Sequence, residues 1–124
     1  MQGTFTIQGR LVGMNEIIGA ARNNRFGSAS QKKSQMKIVT DAIQADEVFR
    51  ELRFEKKVNI YVSFIEKSSR RDIDNITSAN KFILDSIVNY GILIDDSQKY
   101  VTKIVSEVFV DKKNPRIEVR LEEV

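Results

Sequence analysis

Two pairs of aspartates have the spacing to do chemistry. Asp72 and Asp74 lie two residues apart at the start of a helical pattern, and Asp95 and Asp96 are adjacent just before a strand pattern. Arg70 and Arg71 precede the first pair, and Lys81 follows it. Carboxylates at a helix start and a strand start can meet in space although far apart in the chain. Three or four oxygen donors converging on one point suit a hard divalent cation such as Mg²⁺. Each pair also has a structural reading. Aspartate is a favoured helix N-cap, where its oxygen accepts an orphan N–H, and Asp95–Asp96–Ser97 can bond its own backbone in a solvated turn.

What the chain lacks narrows the chemistry further. There is no histidine and no cysteine among the 124 residues. Nucleophile–histidine pairs, thiolate metal sites and disulfides are therefore excluded, together with most zinc chemistry. A hydrolase built from this sequence must rely on carboxylates, lysine or a metal-bound water. Apolar content of 41% and charge of 30% are ordinary for one globular domain of this length. No apolar run is long enough to span a bilayer and no signal pattern opens the chain, so a cytoplasmic protein with no membrane partner is expected.

Net charge is +3, with a pI near 9.2, but its distribution says more than its size. Arg22, Arg25, Lys32, Lys33 and Lys37 form a run containing no acid, whereas Glu122 and Glu123 make the far end acidic. Such a run is either a solvated face or a sequence-independent grip on a phosphate backbone. Phe26, between Arg25 and Gly27 in a polar stretch, either packs back on its own domain or acts as an apolar wedge between bases.

The elements that must position these groups follow from periodicity. Thr4–Leu11 alternates as a half-buried strand. Asn15 is expected to cap a short helix through about Arg22, and Asn23–Ser28 reads as a loop. A second helix is predicted over about Ser30–Ala45, with Val48–Phe54 fitting one further turn. Lys57–Ile65 is the clearest central strand. One long helix is expected from about Asp74 to Tyr90, with Ile76, Ala79, Ile83, Ile87 and Tyr90 as its core stripe and Gly91 as its stop. Tyr100–Val110 and Arg116–Glu122 are predicted to pair as a hairpin around Asp111–Pro115. The order β-α-α-β-α-β-β implies a single α/β domain, with a mixed sheet of about four strands and helices on one face.

Taken together, Arg70–Asn75 (R-x-D-x-D-N), Lys81–Asp85 (K-F-x-L-D) and Asp95–Gln98 (D-D-S-Q) make the chain resemble the RusA family of Holliday-junction resolvases. Gly9–Glu16 resembles that family's N-terminal G-x-L-x-x-x-N-E segment. The resemblance implies the same α/β architecture, a homodimer, four-way DNA junctions as substrate, and Mg²⁺, with Mn²⁺ as an alternative. It implies that Asp72, Asp74 and Asp96 are the metal-binding and catalytic carboxylates, with Asp95 as a fourth ligand or an orienting group. Arg70, Arg71, Lys81 and Lys99 would offset the acids near phosphate, and Asn75 would fix the helix start.

In one place the sequence departs from the family pattern. The family lysine falls four residues after the second aspartate, where this chain has Ser78; Lys81 lies three residues further on. In a continuous helix Lys81 would share Asp74's direction but sit about 10.5 Å along the axis. Alternatively, the extra residues form a bulge before a helix starting near Ser78, which returns Lys81 to the acids. The K-F-x-L-D run favours Lys81 as the group that meets the scissile phosphate or leaving oxygen. Two other functions compete with junction resolution: a less selective Mg²⁺ nuclease acting on flaps or forks, and a non-catalytic architectural DNA-binding protein.

Overall fold

Alternating apolar residues bring four strands onto one core. The computed structural model describes every residue except Asn24, and the backbone but not the side chain of Arg25. In chain order the elements are β1 (Gln2–Gln8), α1 (Met14–Asn23), α2 (Arg25–Ala45), a 3₁₀ turn (Phe49–Glu51), β2 (Val58–Glu66), α3 (Ile73–Thr77), α4 (Asn80–Tyr90), β3 (Val101–Val110) and β4 (Arg116–Glu123). Phe5 and Ile7 of β1, Val58, Ile60, Val62 and Phe64 of β2, and Ile117, Val119 and Leu121 of β4 are buried. They meet Val39 and Ile43 of α2 and Phe82, Ile83 and Ile87 of α4 in one cluster. The mixed four-stranded α/β sheet is as expected.

The strand order is β1-β4-β2-β3. The final pair is therefore not a hairpin, contrary to the expectation from its turn residues. β3 lies parallel to β2, whereas β4 inserts between β1 and β2 and runs antiparallel to both. Residues 111–115 carry the chain over the end of β2, where the Asp111 N–H donates to the Glu66 carbonyl at 2.8 Å. Two strand spacings are about 10 Å, which five residues span easily. The clean alternation of β4 reflects this central position. β3, at the edge, has no fully buried residue.

Three helix boundaries differ from the periodicity reading. Helix α1 begins at Met14, with the Gly13 carbonyl accepting from the Ile17 N–H at 3.0 Å. Residues 25–28, expected as loop, form the first turn of α2; Asn24 lies outside the described residues. The predicted helix from Asp74 to Tyr90 is two helices, interrupted at Ser78–Ala79. There the ladder tightens to three-residue bonds, Ala79 N–H to Ile76 carbonyl and Lys81 N–H to Ser78 carbonyl. The Ser78 hydroxyl adds a competing 2.7 Å bond to the Asn75 carbonyl. Gly91 ends α4 at φ +96°, and the Ile92 N–H reaches back to the Ile87 carbonyl, a Schellman closure that would strain any L side chain at 91. No helix among the described residues is long and apolar enough to cross a membrane.

Candidate active site

The first acid pair is held by a buried lock. Arg71 places its Nε 2.8 Å from Glu66 Oε1 and its Nη2 2.9 Å from Glu66 Oε2, a two-bond fork at the end of β2. Both side chains are largely buried, 15% and 7% exposed, so the fork is shielded from solvent. The same guanidinium donates to the Leu11 carbonyl at 3.3 Å. Sequence reasoning placed Arg71 against DNA phosphate; the structure turns it inward instead, because Glu66 supplies a buried carboxylate that must be paired. Glu66 had gone unnoticed in the sequence, as an acid at the end of an apolar strand.

The loop from Leu11 to Glu16 completes this support. Asn75 Oδ1 accepts the Asn15 N–H at 2.9 Å, so Asn75 fixes the start of α3, as expected. A Cβ on Gly13 would stand 2.6 Å from Asn75 Oδ1 and 2.7 Å from its carbonyl oxygen, so only glycine permits this approach. Val12 donates to Gln35 Oε1 at 2.9 Å, tying the loop to α2. Asp72 and Asp74 are thereby set at the exposed N-terminus of α3. Asp72 is the N-cap residue, yet its side chain makes no capping bond. Asp74 Oδ1 accepts the adjacent Asn75 N–H at 2.9 Å. The capping reading thus fails for Asp72 on geometry, leaving its carboxylate exposed.

The second acid pair lies in an open depression of about 390 Å³ lined by Lys32, Met36, Lys81, Asp85, Asp95 and Asp96, among others. The break between α3 and α4 puts Lys81 on the first turn of α4, and its ammonium lies 3.1 Å from Asp85 Oδ1. Lys32 of α2 reaches the other oxygen, Oδ2, at 3.2 Å. Asp85, only 18% exposed, is therefore shared by two lysines from different helices. Its hydrogen bond and charge hold the Lys81 ammonium above the usual lysine range, against slight desolvation, and Asp96 adds to the same effect. Asp95 is held below the usual carboxylate range, chiefly by a hydrogen bond from the Ser97 hydroxyl and then by the Asp96 N–H. Asp85, part of the K-F-x-L-D run, was given no role from the sequence; its i,i+4 spacing from Lys81 was the available signal.

Neither Asp72 nor Asp74 lines this depression. Among the described residues, no group of three or more carboxylates is close enough to enclose a metal ion. The donors nevertheless suit Mg²⁺ in kind, because it takes one or two carboxylates and keeps several waters. Asp95–Asp96 and Asp72–Asp74 each offer such a pair.

The basic residues around the site divide into paired and exposed groups. Arg70 is exposed and lines a second depression of about 320 Å³ with Arg10, Lys67 and Arg71. Arg22 and Lys33 are exposed, and Lys37 pairs with Asp41 at 2.7 Å. Arg25 opens α2, its side chain outside the described residues. Lys99 lies 5.4 Å from the Tyr100 ring centre. Phe26, on the first turn of α2, is 75% exposed, which does not fit burial against its own domain. Lys32, Lys33, Lys37 and Met36 share a shallow groove along α2 that adjoins the Lys81–Asp96 depression through Lys32 and Met36.

Compared with known families, residues 20–122 match the model described as Endodeoxyribonuclease RusA. That span contains both acid pairs, Lys81, Asp85 and the lysines of α2. A search of curated proteins found no match.

Proposed function

This chain belongs to the RusA endodeoxyribonuclease family, and from that premise we propose that it is a divalent-metal-dependent nuclease that resolves four-way DNA junctions by paired nicks. The observation that carries the reading is the Lys81–Asp85–Lys32 node beside Asp96, inside the family match and at the edge of the α2 lysine groove. The family resemblance supports Asp72, Asp74 and Asp96 as the carboxylates for Mg²⁺, or Mn²⁺ in its place, with Asp95 as fourth ligand or orienting group; within one copy no three of them converge among the described residues, so Asp72 with Asp74, or Asp96 with Asp95, would take the ion there. When bound it would acidify a water and neutralise phosphate oxygens.

The protein's own groups do the rest. Three carboxylates against two ammoniums leave the depression net negative, so bare DNA phosphate is repelled there while the lysines of α2 attract its flanks. Lys81, kept charged by Asp85, would meet a phosphate oxygen or the leaving oxygen as negative charge grows on it. Arg71 acts indirectly, since its fork to Glu66 holds the backbone from which Asp72 and Asp74 project. Arg70, Arg22, Arg25, Lys32, Lys33 and Lys37 are assigned to the DNA backbone. A four-way junction is two-fold symmetric, which matches a C2 homodimer carrying two such sites.

The test is nicking of a synthetic four-way junction against linear duplex and flap substrates, with Mg²⁺, with Mn²⁺ and with chelator. Wild-type protein should nick the junction symmetrically and only with metal. Asp74→Asn and Asp96→Asn should abolish nicking while leaving junction binding intact or tighter, because each removes a charge that repels DNA. Wild-type rates in either variant remove that residue from the metal site. Binding without nicking by the wild type at any metal concentration would favour the architectural reading.

A further inference from the structure

The depression at the end of β2 is lined by charge that the acid pairs do not use. Gly9 and Pro115 form part of its wall, tied by the Gly9 N–H to the Pro115 carbonyl at 3.0 Å. Arg10 follows Gly9, and Lys67 and Arg70 stand between β2 and α3; all three line the depression and are exposed. The carboxylates nearby are already matched. Glu66 is held in the Arg71 fork, and Glu16 lies 3.6 Å from Arg10 and 3.9 Å from Arg71. Asp111, whose N–H meets the Glu66 carbonyl, pairs with Arg116 at 3.4 Å. Lys67 and Arg70 have no ion pair among the described residues. The concavity is therefore net positive, and its cations repel one another until an anion enters.

We propose that Arg10, Lys67 and Arg70 bind one backbone phosphate of the DNA strand that runs to Asp72 and Asp74, as an anchor separate from the α2 lysines. This rests on the DNA-binding reading above and gives that strand a second, localised contact. Arg70 stands two residues before Asp72, so their Cα atoms are at most about 7 Å apart. Phosphates of one strand recur about every 3.4 Å of rise, which sets the anchor within about three nucleotides of the bond at those acids. Guanidinium forks meet phosphate oxygens two at a time, and the Lys67 ammonium adds a point charge. Arg71 cannot take this part, because two of its nitrogens are committed to Glu66. The α2 groove shares no lining residue with the depression, so its lysines grip a different part of the DNA.

The test is a methylphosphonate scan, in which the phosphates of a synthetic four-way junction are made neutral one at a time. Binding is followed by fluorescence anisotropy with chelator present, so that no strand is cut. For wild-type protein, one neutralised phosphate outside the α2 track should raise Kd about tenfold, the loss of a charge-assisted contact. Arg70→Gln should bind the unmodified junction about tenfold more weakly and lose less than about twofold more at that same phosphate, because the two changes remove one interaction. Lys67→Gln and Arg10→Gln should show the same coupling at the same position, and Lys33→Gln should keep the wild-type penalty there. All three side chains are exposed, so thermal melts of the variants should match wild type. Penalties that Arg70→Gln leaves unchanged at every position, small equal losses along the whole strand, or no DNA binding at all would overturn the anchor. Nicking with Mg²⁺ is measured separately on the same preparations. A coupled phosphate without nicking would sink the nuclease reading and keep the anchor, and nicking without a coupled phosphate would do the reverse.

Discussion

Among single residues, Lys81 is the one whose position the chain had to adjust. A continuous helix from Asp74 would have left its ammonium about 10 Å along the axis from the acid. The Ser78 hydroxyl, bonded to the Asn75 carbonyl, helps to end that helix, and α4 restarts two residues later with Lys81 on its first turn. The Ser78 hydroxyl is committed to the Asn75 carbonyl, whereas the Lys81 ammonium lies against Asp85. Lys81→Ala should cut junction nicking about a hundredfold with little loss of binding, while Ser78→Ala should be nearly silent in single-turnover assays. The reverse ranking would shift the phosphate contact away from Lys81. Asp85 supplies the pH dependence. A lysine raised above its ordinary value of 10.5 contributes stability that is full below that value and lost as pH rises through the folded one. Asp85→Asn removes the largest raising cause, so an NMR titration of lysine side chains should find the Lys81 midpoint moved down. An unmoved midpoint would show that the Asp85 pairing is not maintained in solution.

At the scale of elements, the site depends on joints that periodicity cannot see. The apolar stripes disclosed the strands, the helices and most of the core: Ile76, Ala79, Ile83 and Ile87 are all buried as their spacing required. The acid pairs, Lys81 and the exposed face of α2 were legible from residue type and order. Arg71 was not, because an arginine beside two aspartates looks the same whether it faces phosphate or a buried acid; only the fold brings Glu66 to it. The hairpin failed for a similar reason, since a turn sequence fixes its own bend but not whether a third strand lies beneath it. The Glu66–Arg71 fork yields a prediction at this scale. Removing one partner strands a buried charge, so Arg71→Ala should destabilise the fold by about 3–5 kcal/mol. Denaturant melts should detect this, with a parallel loss of nicking as the Leu11–Glu16 loop and the start of α3 loosen. A variant of wild-type stability that had lost only DNA affinity would return Arg71 to the surface role its sequence context suggested.

For the whole molecule, the question is how the negative depression of the proposed site would capture a polyanion. The net charge of +3 is too small to act as a general field, so attraction must come from where the cations sit. Lys33 and Lys37 follow Lys32 along α2, and the groove they form runs into the depression at Lys32 and Met36. Lys32 has a second commitment, its 3.2 Å pair with Asp85, so it belongs to both the track and the site. Lys33 has no ion pair among the described residues and is the cleaner probe of backbone contact. Lys33→Ala should weaken binding to junction and linear duplex alike, and reduce the slope of log affinity against log salt by about one. Lys32→Ala should do the same and also slow nicking, because Asp85 then turns wholly to Lys81. Phe26, at the start of the same helix, offers the contrast: it carries no charge, so Phe26→Ala should leave the salt slope unchanged. If its ring enters the junction between bases, that variant loses affinity for four-way DNA and keeps it for duplex. Equal losses on both substrates would place Phe26 on the common track, and leave branch selectivity to the spacing of two sites in the proposed dimer.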